Sequence, residues 1–327
     1  MMMRKRWINL ALWGMTWTGS GLLALGVQTS LLAESPLRIT IQDDYVSVHS
    51  AQHLLLRYHY QNVPFKPYVQ DLISPRGFNP LLDAPKDHLH HHALMFALDV
   101  DGVNFWEEQQ APGRERHRSF TDMTVRSEKD VACAGFTEQI DWIKPDSNAL
   151  LLQESRTLRV PQVQGTEVTL LVWESQLKVP PGKQSSTLSG SHYHGLGMRF
   201  IEAMDAIGEF RNADGTAGEI FRGEERLADS IWCAYTAEVA GRPVTVAMLG
   251  HPENPRRPVT WFTMARPFAY LSATMKLHKE PLQISPDQPL KLRHLIAIWD
   301  EKAPNSSIDK LYQWWVSWTK SGARSAP

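Results

Sequence analysis

Histidines are concentrated in one short segment of this chain, Asp87-His88-Leu89-His90-His91-His92. Four of the 13 histidines lie there. Imidazole ionises near neutral pH and is also the commonest metal ligand in proteins. The segment Asp101–Glu108 follows closely and ends in Trp106-Glu107-Glu108. Histidines near an indole and two carboxylates indicate proton transfer, metal binding or capture of a polar ligand.

The geometry of the histidine segment decides which side chains act together. If the segment is extended, His88, His90 and His92 face one side and His91 faces the other. The alternative is a solvated histidine run between a loop and the apolar strand that begins at Ala93. Two histidines at positions i and i+2 could also share a metal, although no second closely spaced metal motif supports this.

A hairpin is predicted at Asp101-Gly102, because Asp-Gly between two apolar runs is a strong turn signal. The returning strand would bring Trp106, Glu107 and Glu108 back beside the histidines. An indole stacks on the C–H groups of a sugar while polar groups bind its hydroxyls, which favours a carbohydrate ligand. The alternative is a tryptophan at a rim with surface glutamates.

A third polar cluster is Ser191-His192-Tyr193-His194-Gly195-Leu196-Gly197-Met198-Arg199. Gly195 and Gly197 allow close backbone approach, and Arg199 can bind a carboxylate through two hydrogen bonds. His194 would share a face with His192 in an extended segment. The cluster is a candidate ligand-binding strand.

The fourth cluster is a loop with three prolines, Gly250-His251-Pro252-Glu253-Asn254-Pro255-Arg256-Arg257-Pro258. A rigid loop is a good platform for functional side chains, here His251, Asn254 and Arg256. We expect His251 to project into the same cleft as His91. The alternative is a surface turn that the prolines stiffen.

Several function classes lack sequence support. The chain has 34 basic and 35 acidic residues, a net charge of −1, without the basic patch that nucleic-acid binding requires. It contains no glycine-rich phosphate loop, GxSxG elbow or HExxH motif. We expect no cofactor and no nucleic-acid partner.

The N-terminus has the layout of a secretory signal. Arg4, Lys5 and Arg6 precede an apolar run from Ile8 to Val27, and Ala33 suits a cleavage site. We therefore expect a signal peptide over residues 1–33 and a single domain over 34–327 that is periplasmic or secreted. An uncleaved anchor is the alternative. No later segment is apolar enough to span a membrane.

Alternating apolar and polar residues predict strands over most of the remaining chain, among them Leu37–Ile41, Leu94–Val100, Val131–Ile143 and Leu290–Trp299. One segment has a helical period: Ser307 is a plausible N-cap, and an apolar stripe runs from Ile308 to Trp318. We expect this helix to pack on an outer sheet face. The fold class is therefore all-β, a large antiparallel sandwich with a C-terminal helix. Cys133 and Cys233 could form one disulfide or remain two thiols.

The sequence resembles the PmoA-like family, secreted β-rich bacterial proteins of undefined function that are labelled "methane oxygenase". The motifs that carry the resemblance are Asp87-His88-Leu89-His90-His91-His92-Ala93, Asp101-Gly102-Val103-Asn104-Phe105-Trp106, Gly195-Leu196-Gly197-Met198-Arg199, and His251-Pro252-Glu253-Asn254-Pro255-Arg256-Arg257-Pro258 with Trp261. The resemblance implies a supersandwich of the galactose-mutarotase type. His92 and Ala93 depart from it, since the family has Arg and Gly there.

The leading hypothesis is an exported carbohydrate-active enzyme that uses His/Glu acid–base chemistry, as mutarotases, epimerases or lyases do. Its assigned residues are catalytic His90, His91, Glu107 and His251, and substrate-binding His88, Trp106, His194, Arg199, Asn254 and Arg256. The expected ligand is a carbohydrate or another small polar molecule. A non-catalytic glycan-binding module is the first alternative. A metalloprotein using His88, His90 and a distant histidine is the second.

Overall fold

The structure is a computed structural model that describes residues 37–51, 53–128 and 130–320. The segment predicted as a signal, residues 1–33, lies outside the described residues. Strands make up most of the described chain, and one long helix follows the last strand. The predicted all-β class with a C-terminal helix is therefore confirmed.

The strands are numbered here in chain order. The first eleven are β1 (Leu37–Ile41), β2 (Tyr45–Ser50), β3 (His53–His59), β4 (Tyr68–Leu72), β5 (Leu94–Ala97), β6 (Asp99–Val100), β7 (Val103–Asn104), β8 (Arg114–Glu128), β9 (Val131–Ile143), β10 (Leu150–Val163) and β11 (Thr169–Lys178). The next eleven are β12 (Ser186–Ser189), β13 (Gly195–Arg199), β14 (Glu209–Asn212), β15 (Glu219–Arg222), β16 (Glu225–Ser230), β17 (Trp232–Val239), β18 (Arg242–Gly250), β19 (Val259–Met264), β20 (Tyr270–Thr274), β21 (Leu282–Ile284) and β22 (Leu290–Trp299). A short 3-10 helix spans Glu202–Met204, and α1 spans Asn305–Lys320.

Two large antiparallel sheets form the sandwich. The first has the order β1-β2-β3-β4-β5-β13-β20-β19-β16-β15, and the second has the order β14-β17-β18-β22-β11-β10-β9-β8. Side chains from both sheets, such as Val46 and Leu56 from the first and Phe136 and Trp173 from the second, share one buried core. A small third sheet has the order β21-β12-β6-β7. Its short strands belong to the segments that connect strands of the two large sheets.

Most predicted strands are present with nearly the expected bounds, including Leu37–Ile41, Val131–Ile143 and Leu290–Trp299. The predicted strand Leu94–Val100 is interrupted at Leu98, and its two parts join different sheets. The longest strand, Arg114–Glu128, was not predicted because its charged and polar residues lack an apolar alternation.

Helix α1 covers the outer face of the second sheet, as expected. Ile308, Tyr312 and Trp315 are buried against a second core formed by residues such as Trp232 and Leu295. The helix begins at Asn305, two residues before the predicted N-cap Ser307. No helix within the described ranges is both long and apolar enough to cross a membrane. Cys133 and Cys233 are free thiols, so the possible disulfide is not formed.

Candidate functional site

The histidine segment folds into consecutive turns, so the extended geometry considered above is wrong. The His88 amide donates to the Pro85 carbonyl at 3.0 Å, and the His91 amide donates to the His88 carbonyl at 2.9 Å. These turns stack the His88 and His91 rings with centroids 4.6 Å apart, and His90 meets His91 edge-on at 4.5 Å. Three imidazoles therefore form one cluster.

His92 points away from that cluster into a buried charged network. Its Nδ1 lies 2.8 Å from Asp83 Oδ1, and its Nε2 lies 2.9 Å from Glu108 Oε1. Glu108 also accepts from the fully buried Lys66 at 2.6 Å. Burial opposes protonation of His92, but its hydrogen bonds to the two carboxylates outweigh this and raise its pKa. The network therefore ties the histidine turn to the loop that carries Trp106.

The Asp101-Gly102 hairpin forms as predicted, and both residues have positive φ. After it, the Asn104 side chain accepts from the amides of Trp106 and Glu107 at 2.7 and 2.8 Å, which turns the chain toward the histidines. Lys66 donates to the Trp106 carbonyl at 3.2 Å. These bonds fix the loop without using the side chains of Trp106 or Glu107.

The histidine cluster and this loop enclose a cavity of about 200 Å³. Its lining combines imidazoles, carboxylates and aromatic rings: His88, His90, His91, Trp106, Glu107, Tyr193, Arg222, Glu225, Phe262, Met264, Phe268 and Tyr270. Gly197 lies beneath two of these rings, because a Cβ there would collide with the Tyr270 hydroxyl and the Trp106 ring. The volume is below the ~300–1,000 Å³ of pockets for drug-sized ligands, so the cavity suits one small molecule.

Burial lowers the pKa of two imidazoles that line the cavity, His90 and His91. His90 Nε2 lies 3.4 Å from Glu107 Oε2. Burial lowers the pKa of His90 below its usual value, against the opposing charge of Glu107. Burial, reinforced by the neighbouring His90 and His88, lowers the pKa of His91 to about 2. At neutral pH both rings are therefore neutral, and His90 has the carboxylate that would stabilise its protonated form.

Four buried polar atoms of the cavity side chains have no hydrogen-bond partner among the described residues: His88 Nδ1, His91 Nδ1, Trp106 Nε1 and the Tyr270 hydroxyl. Of these, His88 Nδ1 lies 3.0 Å from Asp87 Oδ2. An unsatisfied buried polar group costs about 1–3 kcal/mol. Burial also raises the pKa of Tyr270 well above its ordinary value, so its hydroxyl remains protonated. These groups are therefore closed to solvent and lie in the wall of the cavity.

His194 and Arg199, both predicted to bind substrate, lie behind the cavity wall. The His194 ring stacks on Trp106 at 4.9 Å, nearly parallel. Arg199 lies over the Phe268 ring, with its guanidinium carbon 3.7 Å from the centroid. Both side chains are buried and neither lines the cavity. The structure therefore places them as supports of aromatic lining residues.

His251 does not reach the cavity, contrary to the expected shared cleft with His91. Strand β18 belongs to the second sheet, so its loop emerges beside α1. The His251 ring packs edge-on against Trp315 at 5.2 Å, and its Nε2 lies 3.0 Å from Thr319 Oγ1.

The other two predicted residues of this loop are also bound elsewhere. Asn254 bonds both the carbonyl and the amide of Arg293, each at 2.8 Å. Arg256 donates to the carbonyls of Met275 and Glu280. These contacts hold the proline-rich loop outside the histidine cavity, so Asn254 and Arg256 do not join the predicted shared cleft.

Seven cavity residues were missed by the sequence analysis: Tyr193, Arg222, Glu225, Phe262, Met264, Phe268 and Tyr270. Tyr193 stands between His192 and His194, and this position was the one available signal. The others come from strands and connections at the β15 end of the first sheet, and their proximity depends on long-range strand order.

Within the described ranges, no group of three or more His, Cys, Asp or Glu side chains has a geometry that could hold a metal ion. In the cluster, the His88 ring stacks on His91 and the His90 ring meets His91 edge-on. The donor arrangement thus gives the metalloprotein hypothesis no support.

Several solved structures match this chain at low sequence identity and with TM-scores under 0.5. An alpha-galactosidase from Lactobacillus brevis is 6% identical, with a TM-score of 0.39, over 81% of this chain and 39% of that chain. The GH36 alpha-galactosidase AgaA from Geobacillus stearothermophilus is 11% identical, with a TM-score of 0.39, over 81% of this chain and 41% of that chain. This chain therefore spans about two fifths of the length of these galactosidases.

A protein assigned as an aldose 1-epimerase from Klebsiella pneumoniae is 9% identical, with a TM-score of 0.42, over 85% of this chain and 86% of that chain. No curated protein matches the sequence. The model of the family of unknown function DUF6807 matches residues 45–313, which is most of the chain, and the protein therefore belongs to this family.

Proposed function

We propose that this protein is a carbohydrate-active enzyme that transfers a proton to or from a sugar residue held in the histidine cavity. The observation that carries the proposal is the His90–Glu107 pair, 3.4 Å apart in a cavity of about 200 Å³. A neutral imidazole beside a carboxylate is suited to act as a general base and then as a general acid. The flanking aromatic rings offer stacking surfaces for the C–H faces of a sugar.

The expected step begins with the neutral His90 accepting a proton from a sugar hydroxyl or an acidic C–H group. Glu107 then stabilises the imidazolium that forms. Tyr270 and Trp106 hold unpartnered buried donors in the cavity wall, and we assign them to an oxygen atom on which negative charge develops once the wall opens to the sugar. His91, whose pKa is about 2, is a neutral hydrogen-bonding group in this scheme and is too weak a base to take the proton. This assignment fits a mutarotase-, epimerase- or lyase-like reaction.

NMR detects proton transfer at carbon as C–H deuteration in D2O, and it detects proton transfer at a sugar hydroxyl as faster exchange between anomers. D-glucose, D-galactose and D-glucuronate are incubated with the protein in D2O, and anomer exchange and C–H deuteration are followed by NMR. We expect His90→Gln and Glu107→Gln to lower the rate by ~10²–10⁴-fold, because each removes part of the acid–base pair. Sugar affinity should change by no more than about threefold.

Leu89→Ala is the matched control, because Leu89 is an exposed residue in the same turn. It should keep the wild-type rate. Sugar binding without exchange or deuteration in the wild type would favour the glycan-binding module. Exchange at the wild-type rate in His90→Gln would contradict the assigned base.

A further inference from the structure

A short hairpin at the end of the first sheet presents an aromatic ring beside the cavity. Strands β15 and β16 pair out of register between Ile220 and Arg222, so Phe221 is an extra residue in β15. Such β-bulges redirect side chains and are frequent next to active sites. Arg222 lines the cavity, and Phe221 keeps 43% of its surface exposed.

The Phe221 ring is held in place by His192, which contacts the cavity lining. It stacks on His192 with centroids 3.7 Å apart and planes 19° apart. His192 Nε2 lies 2.9 Å from Glu225 Oε2, and Glu225 accepts from Arg222 at 2.6 Å. One face of the ring is therefore fixed by contacts that continue to the cavity lining.

Exposure sets Phe221 apart from the other Phe, Tyr and Trp residues that the structure describes. The large hydrophobic side chains that the described residues leave exposed are Ile41, Leu89, Met123, Val125, Ile207, Ile220 and Phe221. Phe221 is the one aromatic among them. A flat, rigid and solvent-facing ring flanked by charged hydrogen-bonding groups is suited to bind the apolar face of a pyranose.

We propose that Phe221 is the platform of a second subsite, so that the ligand is an oligosaccharide with one residue in the cavity and the next on this ring. Arg222 and Glu225 lie where the two residues would join. Arg222 can donate to the intervening hydroxyl or glycosidic oxygens, and Glu225 can accept from hydroxyl groups. The inference rests on the proposed function, because it assigns a substrate class to the same site. It also accounts for the small cavity, which holds only one residue of the chain.

Binding of matched sugars tests this subsite. The affinities of glucose and galactose are compared by calorimetry with those of maltose, cellobiose, lactose and melibiose. We expect the wild type to bind at least one disaccharide about tenfold more tightly than the corresponding monosaccharide. Phe221→Ala should abolish this gain and leave monosaccharide affinity within about twofold, whereas Phe221→Tyr should retain it.

Ile220→Ala is the matched control, because Ile220 is exposed on the same strand. It should leave both affinities unchanged. A wild type that binds monosaccharides but gains nothing from a second residue would overturn the subsite and leave the proposed function standing. Equal weakening of both ligand classes in Phe221→Ala would also overturn it. A wild type that binds none of these sugars would overturn the proposed function and the subsite together.

Discussion

Two adjacent histidines are given different roles by their surroundings. His90 and His91 both lose proton affinity through burial, but only His90 has a carboxylate within 3.4 Å. His91 is surrounded by other imidazoles and by Phe268 and Tyr270, so its cationic form has no stabilising partner. A base needs a protonated form that the site can tolerate, which is why the reaction is assigned to His90.

The residue-scale prediction concerns the titration of His90. Its lowered pKa means that the ring accepts a proton only below its usual range near 6.5, so the rate should fall at acid pH. Glu107→Gln removes the charge that favours the protonated ring and should lower this pKa further. NMR titration of the His90 ring measures the shift directly, without a substrate. Leu89→Ala serves as the control, and a raised His90 pKa in Glu107→Gln would contradict the pairing.

The elements that support the site differ in how well they can be predicted from the sequence. Alternation and turn residues predict β9, β22 and the Asp101-Gly102 hairpin, because these signals are local. The turns of residues 85–91 could not be predicted from the sequence, because they depend on two backbone hydrogen bonds and not on a pattern of side chains. The division of residues 94–100 between two sheets is also a long-range property, since β5 pairs with β13 and β6 pairs with β12.

The candidate site shows the same limit. The predicted residues that do not line the cavity are His251, Asn254 and Arg256, on a loop of the second sheet, together with His194 behind Trp106 and Arg199 behind Phe268. Residue type and spacing found the histidine turn and the Trp106 loop, which are close in sequence. The positions of the other predicted residues depend on the order of the strands in the two sheets.

The element-scale prediction concerns the contact between the proline-rich loop and α1. His251→Ala removes the hydrogen bond to Thr319 and the packing on Trp315, so we expect a loss of about 1–3 kcal/mol in the free energy of unfolding. Sugar binding and turnover should stay unchanged, because the loop does not line the cavity. Urea denaturation measures the loss.

Thr319→Val removes the same hydrogen bond from the helix side and is the matched partner. The effects of the two changes should be less than additive, because they delete one shared interaction. Loss of turnover in His251→Ala with full stability would show that the loop acts at the site after all.

At the scale of the whole molecule, a buried ionic cluster joins the two large sheets. Arg156 of the second sheet donates to Glu115 and Glu154 at 2.8 Å, and to Tyr58 of the first sheet at 3.2 Å. All four side chains are buried. Buried ion pairs are weak evidence for stability, because desolvation offsets the attraction between the charges. This cluster is instead a determinant of how stability depends on pH.

Burial raises the pKa of Glu115 to about 8, and the charge of Arg156 opposes this shift. An unfolded glutamate has a pKa near 4.3, so the folded state binds the proton more tightly. The contribution of Glu115 to stability is therefore fully present below about pH 4 and is lost as the pH rises through about 8. Glu115→Gln imitates the protonated form and should gain stability relative to the wild type between pH 5 and pH 9.

Urea denaturation at pH 5, 7 and 9 measures this difference. Glu174→Gln is the control, because Glu174 is a partly exposed carboxylate of the same sheet, paired with Arg159. The difference in unfolding free energy between Glu174→Gln and the wild type should not change with pH in the way expected for Glu115→Gln. Parallel stability curves for the wild type and Glu115→Gln would show that Glu115 is already ionised in the folded protein.

The two hydrogen bonds of Asn254 with the backbone of Arg293 have a consequence for tracing descent within the family. Selection on this loop acts on architecture, whereas selection on His90 and Glu107 would act on chemistry. Mutations can therefore remove His90 and Glu107 while the contacts of the loop are kept. We expect homologous chains that keep His251, Asn254 and Arg256 but have lost the acid–base pair. Such chains would share the scaffold by common descent although they no longer catalyse the reaction.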